Sequence, residues 1–234
     1  MRLIIHPEIF ESHPQTTIGT IIARNIIPKE SPAELIETFK SQQQRIRNEF
    51  KLETLSAHPK IFCWREAYRK FGAKPSEYPS SIENLYKRIL KGNDIRSVNA
   101  LVDAYNFISL KHTLPAGGED LDKVEGGVHL RVAGENETPV NLLGEAEPRA
   151  PYKNEIIYAD EKGTMCRRWN WKETERTKLT NETKTALLVV EGIAPITREE
   201  IRAAVEELNA LIGKYLGAQT TMHILDAKTP SIEL

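Results

Sequence analysis

The clearest chemistry in this sequence is offered by a stretch rich in basic and aromatic residues. Residues 166–178 read CRRWNWKETERTK, with five basic side chains and two tryptophans at alternating positions. Cations of this kind bind phosphates, and flat rings stack on bases with about 1–3 kcal/mol for each base. If the stretch is a strand, Arg167, Trp169 and Trp171 share one face and Arg168 lies on the other. The pattern indicates a site for a single-stranded RNA end. A core tryptophan beside a solvated charged loop is the alternative interpretation.

Other signatures of catalysis are missing from the sequence. It has no Gly-x-Ser-x-Gly elbow, no Cys-His signature and no phosphate-binding Gly-x-x-x-x-Gly-Lys pattern. The six histidines show no spacing typical of metal ligands, and the two cysteines, Cys63 and Cys166, provide neither a disulfide framework nor a metal motif. We therefore expect neither a metal nor a cofactor.

Composition limits the possible partners. The 234 residues carry a net charge of −1, so no global field attracts nucleic acid and any RNA contact needs a local basic patch. No apolar run approaches the length of a membrane span, and the N-terminus is too soon polar for a signal peptide. We expect a cytoplasmic protein without a membrane partner.

A helix, a glycine-bent loop and a strand follow one another in residues 98–131. Apolar residues recur at helical spacing over 98–109, and Ser97 is the predicted N-cap. Pro115 and the pair Gly117-Gly118 end this helix, and Gly126-Gly127 precede a short alternating strand. Such an arrangement commonly forms one wall of a pocket.

The same stretch carries a family resemblance. Val102-Asp103 and Asn106-Phe107 lie in the helix, Pro115 lies in the loop, and DLDKVEGG at 120–127 is followed by Arg131. In this register it resembles the B3/B4 editing module of the bacterial phenylalanyl-tRNA synthetase beta subunit, which reads N-x-V-D-x-x-N-Y, a proline loop and then D-L-D-K-L-E-G-G. The likeness is closest over about 80–192. Because the synthetase's other domains do not fit in this length, we expect a free-standing relative of the module.

The resemblance implies a reaction and a partner. The family module hydrolyses the ester that joins tyrosine to the phenylalanine tRNA. By analogy, this chain would be a trans-editing deacylase that hydrolyses mischarged aminoacyl-tRNA with a positioned water. Its partner would be the tRNA acceptor end or aminoacyl-tRNA. A non-catalytic module that binds tRNA or a small amino-acid-like molecule is the alternative.

The resemblance also implies site residues, with departures. The family's pocket glutamate falls on Glu191, at the end of the apolar run 187–191, where a desolvated carboxylate would bind an amine or a hydroxyl. An ordinary strand-end carboxylate is the alternative interpretation. The family's loop histidine falls on Gly117. His112, one turn earlier, either reaches the same space or caps its helix as a cation. The residues at 167–169 replace the family's glycine-rich turn and must reshape the pocket.

Roles for the remaining residues follow from the chemistry of ester hydrolysis. Backbone N–H groups of Gly117 and Gly118 would contact the oxyanion, Asn106 or His112 would orient the water, and Glu191 would anchor the amino group. The terminal phosphates would be bound by basic side chains, or these side chains form only surface ion pairs. These are Lys111, Arg131 and Arg167, with Arg168, Trp169 and Trp171 completing the RNA site.

The elements that must position these residues are predicted from periodicity and caps. Strands are predicted at 3–5, 18–27 (ending at Pro28), 128–132 paired with 138–142, 155–158 turned into 164–169, 186–191 and 220–225. Helices are predicted at 31–50, 59–71, 80–91 and from 197 onward, with capping boxes at Ser31–Glu34, Ser80–Glu83 and Thr197–Glu200. Their order favours a single α+β domain with a mostly antiparallel sheet and flanking helices. Within it, residues 1–60 would pack their strands and helix on a B3/B4-like part at 61–234.

Overall fold

A computed structural model describes residues 1–27 and 29–234 as one mixed α+β arrangement. Within these residues there are six helices: α1 (Pro7–Ser12), α2 (Ala33–Glu49), α3 (Pro59–Lys70), α4 (Ser81–Leu90), α5 (Ala100–His112) and α6 (Arg198–Leu216). The strands are β1 (Arg2–Ile5), β2 (Thr17–Arg24), β3 (Ala116–Asp120), β4 (Val128–Val132), β5 (Ile156–Asp160), β6 (Gly163–Arg167), β7 (Lys172–Glu173), β8 (Ala186–Gly192), β9 (Gln219–Leu225) and β10 (Ser231–Glu233).

The strands form two sheets rather than one. The larger sheet has the order β10-β1-β4-β5-β6-β7, and the smaller has the order β3-β8-β2-β9. Only the pairing of β1 with β4 is parallel among the described strands, and every other pair of neighbours is antiparallel. The predicted α+β class with mostly antiparallel pairing is confirmed, and the antiparallel strands are divided between two sheets.

The N-terminal segment contributes interior strands to both sheets. β1 lies between β10 and β4, and β2 lies between β8 and β9. Strand β2 ends at Arg24, three residues before the predicted end at Ile27, and the predicted stop at Pro28 lies outside the described residues. Because hydrogen bonds of both sheets link residues on either side of residue 60, the division of the chain there remains a prediction about where the family likeness begins.

Helix α6 packs on β2 as its amphipathic pattern predicts. Thr197 Oγ1 accepts a hydrogen bond from the Glu200 N–H at 3.2 Å, and Glu200 Oε2 accepts one from the Thr197 N–H at 2.8 Å. This reciprocal capping box confirms the predicted start of the helix. Any side chain at Gly19 would overlap Val205 of α6, so glycine at this position lets the helix approach the sheet closely.

The start of α5 differs from the prediction. Asn99, not Ser97, is the N-cap and accepts a hydrogen bond from the Val102 N–H at 2.9 Å. Ser97 instead donates to Asp103, whose carboxylate also accepts from Ser31 Oγ at 2.6 Å. The capping box predicted at Ser31 is therefore wrong, since that hydroxyl is bound to Asp103 and α2 begins behind Pro32 without a side-chain cap. The buried carboxylate of Asp103 can accept several hydrogen bonds at once, so it binds both serine hydroxyls and neither of them caps a helix.

One predicted hairpin does not form and another does. Strand β4 pairs with β1 and β5, whereas residues 138–142 contribute only isolated bridges, one of them between Val140 and Arg149. The pairing predicted for 128–132 with 138–142 is wrong because the more apolar strand β5 takes that edge of β4. The β5–β6 hairpin is confirmed, and Asp160 Oδ1 closes its turn by accepting hydrogen bonds from the N–H groups of Lys162 and Gly163 at 3.0 and 3.1 Å.

Candidate functional site

A cavity of about 330 Å³ opens between the two sheets. One wall is the face of the smaller sheet made by β3 and β8, and the other is formed by β5, β6 and the loop that leads into β7. Helix α4 lines its mouth with Asn84 and Arg88. The main contributors to its walls are Gly117, Gly118, Glu119, Tyr158, Cys166, Trp169, Asn170, Trp171, Lys172, Glu173, Leu187, Val189 and Glu191. Of the wall predicted at 98–131, only residues 116–119 and Val128 line the cavity, and helix α5 does not. Five of the predicted site residues belong to the lining.

Every second residue of strand β8 lines the cavity wall that β8 forms with β3, and this part of the wall is called the floor. Leu187, Val189 and Glu191 alternate onto the cavity face, as successive side chains of a strand point to opposite sides. Gly117, on the neighbouring strand β3, pairs with Val189 of β8. The glycine pair therefore lies in a strand and not in a loop as predicted. A Cβ on Gly118 would lie 2.9 Å from the Leu187 carbonyl oxygen, so only glycine fits at this point of the wall.

Glu191 is the centre of a hydrogen-bonded network at one end of the floor. Its Oε1 accepts from the Tyr158 hydroxyl at 2.5 Å and from Trp169 Nε1 at 2.9 Å, and its Oε2 accepts from Asn170 Nδ2 at 2.8 Å. Tyr68 fixes the Asn170 amide by donating to Oδ1 at 3.0 Å. Burial raises the pKa of Glu191 to about 7, although the three donors oppose the shift. The network holds the carboxylate in one orientation towards the cavity.

Two further carboxylates, Glu119 and Glu173, line the same cavity. Glu119 is buried, and burial together with the charge of Glu173 raises the pKa of Glu119 well above its ordinary value. Burial likewise raises the pKa of Glu173 to about 7, and the adjacent backbone of Gly118 opposes this shift. No periodic pattern of residues predicts this pair, because only the approach of β3 to β7 brings the two glutamates together.

The loop between β6 and β7 is not the strand that the alternating tryptophans predicted. β6 ends at Arg167 and β7 begins at Lys172, and Arg168 and Trp169 both have left-handed backbone with φ of 49° and 64°. Trp169 is fully buried, with its ring 5.0 Å from that of Trp64 in an edge-on arrangement. Its predicted role as a surface for base stacking is therefore wrong. Its indole N–H instead donates a hydrogen bond to Glu191 Oε1.

The two arginines of this loop are also part of the interior. Arg167 forms a bidentate ion pair with Glu155 at 3.1 and 2.6 Å. The Arg168 guanidinium lies 3.6 Å from the ring centre of Tyr78 and 4.5 Å from that of Trp171. Both arginines are nearly inaccessible, so the prediction that they bind phosphates is wrong. Trp171 remains half-buried at the cavity edge and is the more accessible of the two predicted aromatic contacts.

The remaining predicted residues lie away from the cavity. His112 Nε2 contacts Glu207 Oε2 at 2.8 Å, and Lys111 pairs with the same carboxylate. His112 therefore does not replace the missing loop histidine, and it lies in the last turn of α5, where the alternative interpretation placed it. Arg131 is held by Glu137 at 2.5 and 3.0 Å. Asn106 is half-buried on α5 and does not line the cavity, so it is not placed to orient a water there.

A basic groove adjoins the mouth of the cavity, and the sequence analysis missed it. The groove has a volume of about 870 Å³ and shares Asn84, Arg88, Trp171 and Lys172 with the cavity. Its cationic side chains are Arg65, Lys87, Arg88, Lys91 and Lys172. Arg65 and Lys87 bind the buried Glu83 at 2.6 and 2.7 Å, whereas Arg88 and Lys91 form no ion pair within the described residues. The basic cluster at the end of α4 was the sequence signal that could have identified this groove.

Neither a cluster of metal-binding side chains nor a membrane-spanning helix is present in the described part of the chain. No group of three or more His, Cys, Asp or Glu side chains in residues 1–27 and 29–234 is placed to hold a metal ion. No helix of these residues is long and apolar enough to cross a membrane.

Comparison with known proteins identifies the family. The beta subunit of phenylalanine–tRNA ligase from Neisseria meningitidis serogroup B is 38% identical over 79 residues, which is 34% of this chain and 10% of that protein. The same subunit from Fusobacterium nucleatum subsp. nucleatum is 30% identical over 122 residues, 52% of this chain and 14% of that protein. The chain thus spans 10–14% of the length of these two curated relatives.

A solved structure and a family model complete the comparison. An N-terminal fragment of the phenylalanyl-tRNA synthetase beta subunit from Pyrococcus horikoshii aligns with a TM-score of 0.48 and 11% identity, covering 93% of this chain and 49% of that chain. The model of the B3/4 domain matches residues 63–217, which is more than half of this chain. The resemblance expected from residues 98–131 is confirmed, and the chain belongs to the B3/4 domain family.

Proposed function

We propose that this chain hydrolyses the ester of mischarged aminoacyl-tRNA in trans, with the aminoacyl group in the cavity and the RNA 3′ end in the basic groove. The observation that carries the proposal is the direct junction of the two spaces at Arg88, Trp171 and Lys172. An aminoacyl-tRNA end needs such a junction, because a small buried group must be bound next to a flexible, negatively charged strand. The relatives that match this family are subunits of a tRNA ligase, which supports tRNA as the partner.

The groove matches the RNA end in charge and in shape. Arg88 and Lys91 are exposed and, among the described residues, are not neutralised by acidic partners, so they are free to bind phosphates. Trp171 stands between the groove and the cavity, where its ring would stack on the terminal base. These residues take the place of Lys111, Arg131, Arg167 and Arg168, each of which is held by protein groups.

Glu191 would anchor the aminoacyl group in the cavity. A carboxylate offers about four acceptor positions, and Tyr158, Trp169 and Asn170 use three of those on Glu191. The remaining position would accept a hydrogen bond from the substrate's amino group. Since an aminoacyl ester is already activated, holding it beside a water provides much of the rate enhancement. The water oxygen bonds to the carbonyl carbon, the bond to the ribose oxygen breaks, and the ribose oxygen takes the proton.

Release of amino acid from charged tRNA tests this proposal. We would incubate a panel of correctly and wrongly charged tRNAs with the wild type, with Glu191→Gln and with the exposed control Glu182→Gln. We expect rapid loss of one mischarged class with the wild type and the control, and a loss of rate in Glu191→Gln of about 10²-fold or more. Stable esters throughout, with folded protein, would contradict the proposal.

A binding module without catalysis is the second candidate, and one observation favours it. Position 117, where the family module has a histidine, is a glycine, and a Cβ there would lie 3.1 Å from Glu173 Oε1. A non-catalytic module would bind the same charged tRNA with the ester intact. Measuring binding beside hydrolysis therefore separates the candidates, since tight binding without release is expected only of the second.

A further inference from the structure

The cavity contains an acidic pair that the proposed hydrolysis does not use. Glu119 extends from β3 opposite Leu187, and Glu173 from β7 lies over Gly117, where a Cβ would be 3.1 Å from its Oε1. Glu119 is 8% exposed, and its Oε2 has no hydrogen-bond partner within residues 1–27 and 29–234. A buried carboxylate oxygen without a partner is costly, so its presence in a cavity indicates a ligand that supplies the missing donor.

Among the described residues, no cation forms an ion pair with Glu119 or Glu173. Lys172 precedes Glu173 in β7, but its Nζ binds Glu145 Oε1 at 2.7 Å. Arg176 binds both oxygens of Asp160 at 2.7 and 2.8 Å. Arg88 stands at the cavity mouth and forms no ion pair with either glutamate. Together with Glu191, the pair gives the described part of the cavity an acidic interior that lacks a bound positive charge.

The strand register places Glu173 one two-residue repeat from Glu191, and Glu119, which pairs with Leu187, two repeats from it. Glu173 lies above Gly117, which pairs with Val189, and Val189 is two residues from Glu191 on the same face of β8. Two residues of a strand correspond to about 7 Å. The carbon chain that separates the two amines of lysine covers a comparable distance. Leu187 and Val189 line the space between the acidic groups with apolar surface that suits methylene groups.

We propose that Glu119 and Glu173 bind the protonated nitrogen of a basic side chain, so that the cavity selects an aminoacyl group with an aliphatic amine or guanidinium. The α-amino group of the same ligand binds at Glu191. This inference rests on the proposed function for the identity of the ligand as an aminoacyl group. The acidic pair itself requires only an organic cation of suitable length.

Binding of two amino acid esters tests the selection. L-lysine methyl ester and L-norleucine methyl ester share the aliphatic chain and the α-amine, and only the first carries a terminal ammonium. We expect the wild type, followed by calorimetry, to bind the lysine ester at least about 10-fold more tightly, because only its terminal ammonium can form charge-assisted hydrogen bonds with the two glutamates. Glu119→Gln and Glu173→Gln should each remove this preference, while Glu182→Gln should retain it. Equal binding of the two esters by the wild type would overturn the proposal.

Further arms keep the outcomes separate. If circular dichroism shows that a glutamine variant is unfolded, the proposal is tested by the binding of the two esters to the wild type alone. A preference that survives in folded Glu119→Gln and Glu173→Gln would overturn the proposal, as would a calorimetric signal with Mg²⁺ or Ca²⁺ alone that these variants abolish. If no charged tRNA is hydrolysed but the lysine preference is present, the proposed hydrolysis fails and the amine site stands. If a charged tRNA is hydrolysed but the lysine ester is not preferred, the proposed hydrolysis stands and the amine site fails.

Discussion

At the scale of single residues, the carboxylates and the tryptophans of the cavity have roles that their sequence context only partly predicted. Glu191 was predicted from the family register, and its position in the cavity agrees with a role in binding. Glu119 and Glu173 were not predicted, since nothing local distinguishes them from other strand carboxylates. Trp169 and Trp171 looked equivalent in the sequence, yet the left-handed backbone at Arg168 and Trp169 turns one ring into the core and leaves the other at the edge.

The raised pKa of Glu191 makes a pH-dependent contribution to stability. The folded pKa is about 7 and the ordinary value is 4.5, so the folded state binds more protons between these values and this carboxyl destabilises the fold increasingly as pH rises. Tyr68, Tyr158 and Cys166 surround it, and burial raises the pKa of each, so none of them titrates in this window. We expect the stability of Glu191→Gln relative to the wild type to increase between pH 4.5 and 8. Urea unfolding at several pH values measures this, and a constant difference would contradict the assignment.

The two tryptophans should separate stability from binding. Trp169→Ala removes a fully buried ring and should destabilise the protein by about 3–5 kcal/mol. Trp171→Ala should cost about 1 kcal/mol or less because its ring is half-buried, yet it should weaken RNA binding by about 1–3 kcal/mol through lost stacking. Thermal unfolding and filter binding measure the two effects. A Trp171→Ala protein that binds charged tRNA normally would remove this ring from the proposed RNA site.

At the scale of elements, helix α4 is the main difference between the sequence-based site and the structural one. The sequence placed the phosphate contacts around α5, β4 and β6, where Glu207, Glu137 and Glu155 in fact neutralise the basic side chains. Helix α4 was predicted correctly through its cap at Ser80, but its role depends on where it packs. Ion pairing across distant segments is not visible in a linear pattern, so the free cations could not be distinguished from the paired ones.

Charge reversal on α4 tests the groove. Arg88→Glu or Lys91→Glu should weaken binding of a tRNA and reduce the dependence of log K on log salt by about 0.7 for each lost contact to a single strand. Arg202→Glu on α6 is the matched control, since it changes an exposed helical arginine outside the groove. Equal losses in Arg88→Glu and Arg202→Glu would indicate a nonspecific charge effect and not a groove.

At the scale of the whole molecule, the fold class could be predicted and the arrangement of two sheets could not. Local signals such as the capping box at Thr197 and the turn at Asp160 correctly predicted α6 and the β5–β6 hairpin. The choice of β5 over residues 138–142 as partner of β4 depends on long-range competition between strands. The cavity arises from that choice, because β5, β6 and β7 then face β3 and β8. Pattern and resemblance therefore predicted one wall, and the opposite wall required the structure.

We propose that the cavity receives an aminoacyl group while the groove receives the RNA end. A crystal structure with a non-hydrolysable 3′-lysylamino-adenosine tests this arrangement, because the amide replaces the labile ester. We expect the α-amine at Glu191, the side-chain ammonium between Glu119 and Glu173, and the adenine against Trp171 towards Arg88. An aminoacyl group bound outside the cavity, or an adenosine that avoids the groove, would contradict it.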